Sequence, residues 1–191
     1  MTRAFDGRPV PTALLHHLVS LASRAPSAGK TQGWDLVVLN GHETSRFWDV
    51  TLPPQRRSGF RWPNLLTAPV IALAFADPSA YVQRYSEADK ASTGLGSGVH
   101  AWPTPYWTID AAMSVNTLLL AAQDAGLGAL FFGVFNGATE LRVSLGVPDH
   151  VQLLGAIALG WPLASPASVG EGRSASRQRR TPQSIVHNGE W

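Results

Sequence analysis

The chain has 191 residues, of which 45% are hydrophobic and only 15% charged; its formal net charge is +2 and it has no cysteine. That length supports one domain with a real core, or one protomer of an interdigitated pair, and the sparse charge leaves apolar surface for a partner chain. Disulfides, thiolate catalysis and Cys-ligated metals are excluded, no apolar run reaches the roughly 20 residues of a membrane span, and with no signal segment the expected address is cytoplasmic.

In chain order, Leu14, Leu15, Leu18, Leu21, Ala22 and Ala25 recur at spacings of three and four. They predict an amphipathic helix with Thr12 as its N-cap, ended by Pro26, after which Pro26-Ser27-Ala28-Gly29 must turn. Trp34 to Leu39 reads as a buried strand with a turn at Asn40-Gly41. Residues 43 to 66 carry helical pieces broken at Pro53-Pro54, and Pro69 to Ala76 is a second buried strand. Residues 77 to 109 show no periodicity and many Pro, Gly, Ser and aromatic residues. They read as one long loop and a candidate substrate lid.

The stretch from Ala111 to Ala125 predicts a central helix, capped by Asp110 and closed by Gly126. Its apolar positions run nearly all the way round, so it is expected to be buried on most sides. Ala129 to Val134 is a short glycine-bounded strand, Ala138 to Leu145 a short helix, and Leu153 to Gly160 a last buried strand. Apolar strands alternating with helices imply a sheet covered on both faces. Residues 1–163 form the domain, and residues 164–191, rich in Ser, Pro, Gly and Arg, read as its extended C-terminal arm.

Most familiar chemistries are missing. The six histidines have no metal-ligand spacing, so no metal is expected, and there is no nucleophile elbow, Walker loop or carboxylate pair. Gly94 to Gly98 lacks the strand and helix of a nucleotide loop. Lysine supplies only Lys30 and Lys90 of the 15 basic residues. Arg173, Arg177, Arg179 and Arg180 cluster as one anion site, too local for a nucleic-acid face. What stands out is Arg24 to Trp34, RAPSAGKTQGW. Its Ser-Ala-Gly turn offers backbone N–H groups and a hydroxyl between Arg24 and Lys30, which suits an electron-rich ring or a phosphate. An ordinary helix-to-strand connection explains the same residues equally well.

RAPSAGKTQGW resembles the APS-x-G-N-x-Q-P-W segment of the FMN-dependent nitroreductase family. DAAMSVNTLLLAAQDAGLGALFFGVF and LGVPDHVQLLGAIALGWP are similar to that family's central helix, GLG turn and closing strand, and RRTPQSIVHNGEW to its phosphate-binding arm. The resemblance implies an α+β fold: a mostly antiparallel central sheet flanked by helices, in an interdigitated homodimer with a long central helix and two FMN sites lined by both chains. It also implies residue roles. Arg24 and Lys30 would flank the site, Pro26, Ser27 and Ala28 would lie against the isoalloxazine ring, and Gln32 near its pyrimidine edge. Phe132 and the Gly133 amide would sit on the opposite side near N5. Arg61 or Asn64 would stand near the ribityl chain or ring, and Arg180, or Arg179, on the phosphate.

The chain departs from the pattern at Lys30, where Asn is usual, and at Gly33, where Pro is usual. The family's N-terminal Arg-x-Ser-x-Arg phosphate grip is represented only by Arg3-Ala4-Phe5. The activity implied is ping-pong hydride transfer from NAD(P)H through the flavin to a nitroaromatic, quinone or similar small acceptor. No protein acid or base is required. Trp102, Tyr106 and Trp107 would wall the acceptor pocket, or else pack in the core or at the dimer contact. The same fold also allows a non-catalytic flavin-sequestering protein, or flavin chemistry on one metabolite such as oxidation or dehalogenation.

Overall fold

In the computed structural model, which describes residues 1–164 and 176–191, four apolar runs form a wholly antiparallel sheet. They are β1 (Trp34–Asn40), β2 (Val70–Ala76), β3 (Gly128–Phe132) and β4 (Gln152–Gly160), in the spatial order β1-β2-β4-β3. β2 is central and all seven of its residues are buried, as expected of a strand covered on both faces. β1 is an edge strand, and only Leu39 of its seven residues is buried. The expectation of a buried strand there is corrected, because the run has one neighbour instead of two.

The sheet's period of two sorts the core. Val70, Ala72, Ala74, Ile157 and Leu159 face α1 (Thr12–Ala22) and the long α5 (Tyr106–Asp124). The alternate residues Ile71, Leu73, Phe75, Ala156 and Ala158 face α2 (Thr44–Thr51) and α6 (Ala138–Ser144). A short α3 (Pro54–Arg57) follows the Pro53-Pro54 break. Gly155 marks a register shift between β2 and β4, with φ of 155°, and a Cβ there would stand 2.7 Å from the Phe132 carbonyl oxygen. Only glycine fits that bulge, which lets β4 pass the end of β3.

Two helix starts differ from the sequence reading. Pro11 flanks α1 without a side-chain cap and Thr12 is the first helical residue, since proline already supplies the extended entry. α5 begins at Tyr106, a turn before Asp110, so Asp110 is an interior residue and not a cap. Its other end is as expected: Gly126 has φ of 77° and the Leu127 N–H bonds the Ala122 carbonyl, a Schellman closure. The outer side of α5 is open in the single chain, with Ile109, Ala112, Asn116 and Leu120 exposed, so the helix is not buried on most sides.

Residues 77 to 109 are not one long loop. Asp77 caps α4 (Pro78–Tyr85) by accepting the Ser79 and Ala80 N–H groups, and three short turns follow at Ala91–Thr93, Leu95–Ser97 and Val99–Ala101. Tyr81, Trp102, Trp107, Ala111 and Ala76 form a third apolar cluster, which fixes this segment to the start of α5. Trp102 and Trp107 are therefore core residues of the single chain, and Tyr106 is exposed. The described part of the C-terminal segment, residues 176–191, is exposed throughout, with one turn at Pro182–Ser184. Arg173 lies outside the described residues.

Candidate functional site

The turn between α1 and β1 is held from several directions. The Ala28 N–H donates to Asp110 Oδ2 at 2.7 Å, and the Arg84 guanidinium donates to the Gly29 carbonyl at 2.9 Å. The Gln32 N–H donates to Ser27 Oγ at 3.1 Å, and the Gln32 side-chain amide donates to the Ser23 carbonyl at 3.0 Å. Gly29, Lys30 and Gln32 all have positive φ, at 61°, 55° and 54°. For Lys30 and Gln32 that left-handed backbone is strained, and such strain persists only where neighbours over-determine it.

This wiring changes what the turn offers. The Lys30 and Thr31 N–H groups are bound to the Ser27 and Ala28 carbonyls. With Ala28 and Gln32 also engaged, four backbone donors between residues 28 and 32 are used inside the fold, and of the Ser-Ala-Gly amides expected to face a ligand one, that of Ala28, is among them. Among the described residues the Ser27 and Gly29 N–H groups, the Ser27 hydroxyl proton and the Gln32 side-chain oxygen make no hydrogen bond. Arg24, Pro26, Lys30 and Gln32 are exposed, while Ser27 and Ala28 are half-buried.

Arg84 is itself fixed by both carboxylate oxygens of Asp89 at 2.8 Å and by Glu87 at 3.1 Å. Its hydrogen bonds hold the Asp89 carboxyl below the usual carboxylate range, and Asp89 in turn pushes the guanidinium up. The Tyr81 hydroxyl donates to the same Asp110 oxygen at 2.8 Å, in a buried setting. Burial first, and Asp110 second, push the Tyr81 phenol well above its ordinary value.

A separate aromatic cavity of about 360 Å³ opens at the end of β3, within the usual range for small-molecule pockets. Phe47, Trp48, Phe60, Trp62 and Phe132 wall it, with the Gly133 backbone and Arg3 at its lining. Trp48 stacks parallel to Phe132 with ring centres 6.2 Å apart, and Phe47 meets both edge-on. Arg3 and Arg61 lie 5.3 and 5.6 Å from the Trp62 ring centre, in cation–π range. Trp48 and Trp62 each keep a buried indole N–H with no acceptor among the described residues. Phe135 is 91% exposed, and a Cβ on Gly133 would meet its ring at 2.5 Å.

Asn64 borders this region through its backbone, its carbonyl accepting the Phe5 N–H and the Thr67 hydroxyl. In the tail, the Arg180 guanidinium hydrogen-bonds the Ser184 carbonyl, and Arg179 is exposed. The expected site residues therefore fall into three groups in one chain. Arg61, Phe132 and Gly133 gather at the aromatic cavity, Arg24 to Gln32 make the turn, and Arg179 and Arg180 stand on the tail. The turn enters β1 and Gly133 leaves β3, the two outer strands, three inter-strand steps or about 14 Å apart. Gly133 lines the aromatic cavity and a second one beside α6, and among the described residues neither of these two includes Ser27, Ala28 or Gln32.

Three residues were missed in the sequence. Arg3 lines the aromatic cavity, and only its place in Arg3-Ala4-Phe5 hinted at a role. Asp110 read as a cap, and Arg84 lay in what read as loop. Among the described residues no group of three or more His, Asp or Glu could hold a metal, and no helix is long and apolar enough to cross a membrane.

Comparison with known proteins gives this arrangement a context. NADH dehydrogenase of Thermus thermophilus is 26% identical over 174 residues, covering 84% of this chain and 81% of that protein. Iodotyrosine deiodinase 1 of Rattus norvegicus is 27% identical over 179 residues, covering 84% of this chain but only 58% of that protein. Among solved structures, an oxidoreductase containing FMN superposes with a TM-score of 0.73 at 20% identity, over all of this chain and 87% of the other. A nitroreductase-like protein of Streptococcus mutans gives 0.71 at 18% identity, over 99% and 93% of the two chains. These likenesses establish the fold. The family model described as the nitroreductase family matches residues 1–161, so the chain belongs to the nitroreductase family.

Proposed function

We propose that the protein is an FMN-dependent oxidoreductase, working as a homodimer in which each flavin lies between the aromatic cavity of one chain and the Ser27 turn of the other. The observation that carries this reading is the strained turn, with left-handed Lys30 and Gln32 held by contacts from α1, α4 and α5. Loops kept in costly backbone by surrounding structure concentrate at ligand sites. Two further features fit a flavin. The cavity has aromatic walls, the open backbone of Gly133 and a nearby guanidinium, and the Trp48 and Trp62 indole N–H groups lack acceptors among the described residues. The separation of turn and cavity in one chain is what a two-chain site requires.

When bound, FMN would accept hydride from NAD(P)H and return it to an electron-poor acceptor such as a nitroaromatic or quinone. The chain's part is placement. Ser27 donates its hydroxyl proton to a ring acceptor, Gln32 presents its side-chain oxygen to a ring N–H, and Gly133 offers a backbone amide. Arg180, with Arg179 beside it, supplies the fork for the phosphate. Arg24, Lys30, Arg61 and Asn64 edge the site, and Pro26 and Ala28 give the ring an apolar bed.

The test is the absorbance spectrum of freshly purified protein. Flavin bands between about 350 and 500 nm that bleach with NADH or NADPH, and return with menadione or nitrofurazone, are expected. Colourless protein that added FMN cannot reconstitute would remove the reading, and flavin that nicotinamide cannot reduce would favour a sequestering protein. The deiodinase relatives support one second reading, reductive dehalogenation of a halogenated phenol. Halide release from iodotyrosine under reducing conditions distinguishes it from nitro and quinone reduction.

A further inference from the structure

We propose that Asp110 is a positioning residue for the flavin: its Oδ2, shared between the Ala28 N–H and the Tyr81 hydroxyl, sets the backbone of the Ser27–Gln32 turn. The inference rests on the flavin reading above, but its structural half stands on geometry alone. Asp110 is 4% exposed and sits one turn into α5, which packs along the sheet. α5 is thus a rigid mount for an oxygen aimed at a loop 82 residues away.

The turn needs such a mount. Gly29, Lys30 and Gln32 adopt left-handed backbone, which two of those residues resist. A relaxed turn would release the Ala28 N–H, move Ser27 and swing the Gln32 side chain away from Ser23. The Asp110 bond also occupies the Ala28 amide, so that donor is withdrawn from a ligand while the neighbouring Ser27 hydroxyl proton is not engaged. Asp110 therefore governs both where the turn stands and which of its groups face outward. α4 reinforces it, because Tyr81 steadies the carboxylate while Arg84 draws in the Gly29 carbonyl.

Both hydrogen bonds end on one oxygen. The role accordingly asks for an acceptor and not for charge, and the carbonyl oxygen of asparagine satisfies it. This separates positioning from electrostatic support of the cofactor. It also separates both from generic packing, which an apolar residue of similar volume would restore.

The experiment compares wild type, Asp110→Asn and the double variant Tyr81→Phe/Asp110→Leu, which removes the buried phenol hydroxyl along with its acceptor. Two quantities are read: amide hydrogen exchange at residues 28–32 without flavin, and FMN affinity from quenching of flavin fluorescence. The expected result is wild-type protection and FMN affinity within about threefold in Asp110→Asn. In the double variant, protection of Ala28 falls at least tenfold and FMN binds at least tenfold more weakly, equivalent to about 1.4 kcal/mol. If the double variant does not fold, Asp110→Ala is read in its place. Unchanged exchange and affinity without the acceptor would overturn the proposal, as would an Asp110→Asn variant as impaired as the apolar one. Wild type that binds no FMN would refute the flavin reading and with it the cofactor half of the inference, while the exchange data would still decide whether Asp110 sets the turn.

Discussion

The Tyr81 hydroxyl lies 2.8 Å from Asp110 Oδ2 in a buried setting that joins α4 to α5. Burial and that bond favour the neutral phenol, so its folded-state pKa stands above the ordinary 10.0 of the unfolded chain. Below that value both states keep the proton and the contribution is complete. Above it only the unfolded state gains by losing the proton, so stability falls as pH rises. We expect urea midpoints of the wild type to drop from about pH 10 upward, and those of Tyr81→Phe to drop less steeply over the same window. Parallel alkaline limbs for the two proteins would show that Tyr81 carries no such linkage.

The sheet was legible because β2 and β4 are continuous apolar runs, and such runs have few other solutions than a central strand. β1 looked alike in sequence, yet edge or centre is a property of the neighbours and not of the run itself. α4 was missed although Asp77-Pro78-Ser79 carries a cap and a proline at the first helical position, because the helix is only eight residues long and the Gly- and Ser-rich residues that follow mask its periodicity. Asp110 was misplaced for a related reason: Pro105-Tyr106-Trp107 looked like loop, whereas proline readily precedes a helix start. The turn at Ser27 stood out by its Ser-Ala-Gly residues between Arg24 and Lys30, but an ordinary helix-to-strand connection explained it equally well until the resemblance was added. That its Ala28 amide and Gly29 carbonyl are used internally depends on Asp110 and Arg84, partners that local sequence does not announce.

Leu120 tests the association of two chains. It is 64% exposed on α5, in a stripe with Ile109 and Asn116 at helical spacing. In a lone chain Leu120→Glu removes no core contact and should change stability by no more than about 0.5 kcal/mol. At the centre of an interface the same charge is buried without a partner and should drive dissociation. We expect sedimentation to show a dimer for the wild type and a monomer, or a strongly weakened dimer, for Leu120→Glu. A monomeric wild type would rule out the shared site.

Phe47 tests the aromatic cavity as a structural element. It is almost fully buried and meets Trp48 and Phe132 edge-on, at 4.9 and 5.9 Å between ring centres. Phe47→Ala should cost about 3–5 kcal/mol of unfolding free energy. The lower half of that range is expected, because the residue borders an existing cavity and its neighbours have room to close in. Chemical denaturation measures it. A loss below about 1 kcal/mol would mean that the aromatic wall is not packed as described.

Arg180 tests whether binding of the phosphate is separable from binding of the ring. Its guanidinium is hydrogen-bonded to the Ser184 carbonyl at the short Pro182–Ser184 turn, on a tail whose described residues are all exposed. A hydrogen bond from a charged group contributes about 1.5–3 kcal/mol, so losing the fork should weaken FMN roughly ten- to a hundredfold. Riboflavin has the same ring and ribityl chain but no phosphate, and its affinity should not change. Arg180→Ala therefore predicts a selective loss, read by titrating both flavins against quenching of their fluorescence. Arg179→Ala serves as the companion, because either guanidinium has the reach and geometry for the role. Equal weakening of both flavins would assign Arg180 to the fold of the arm, and no weakening of either flavin in the Arg179→Ala/Arg180→Ala double variant would place the phosphate elsewhere. Arg3, at the aromatic cavity and 5.3 Å from the Trp62 ring centre, would then be the guanidinium to examine, because it already stands beside Gly133 in the same cavity lining.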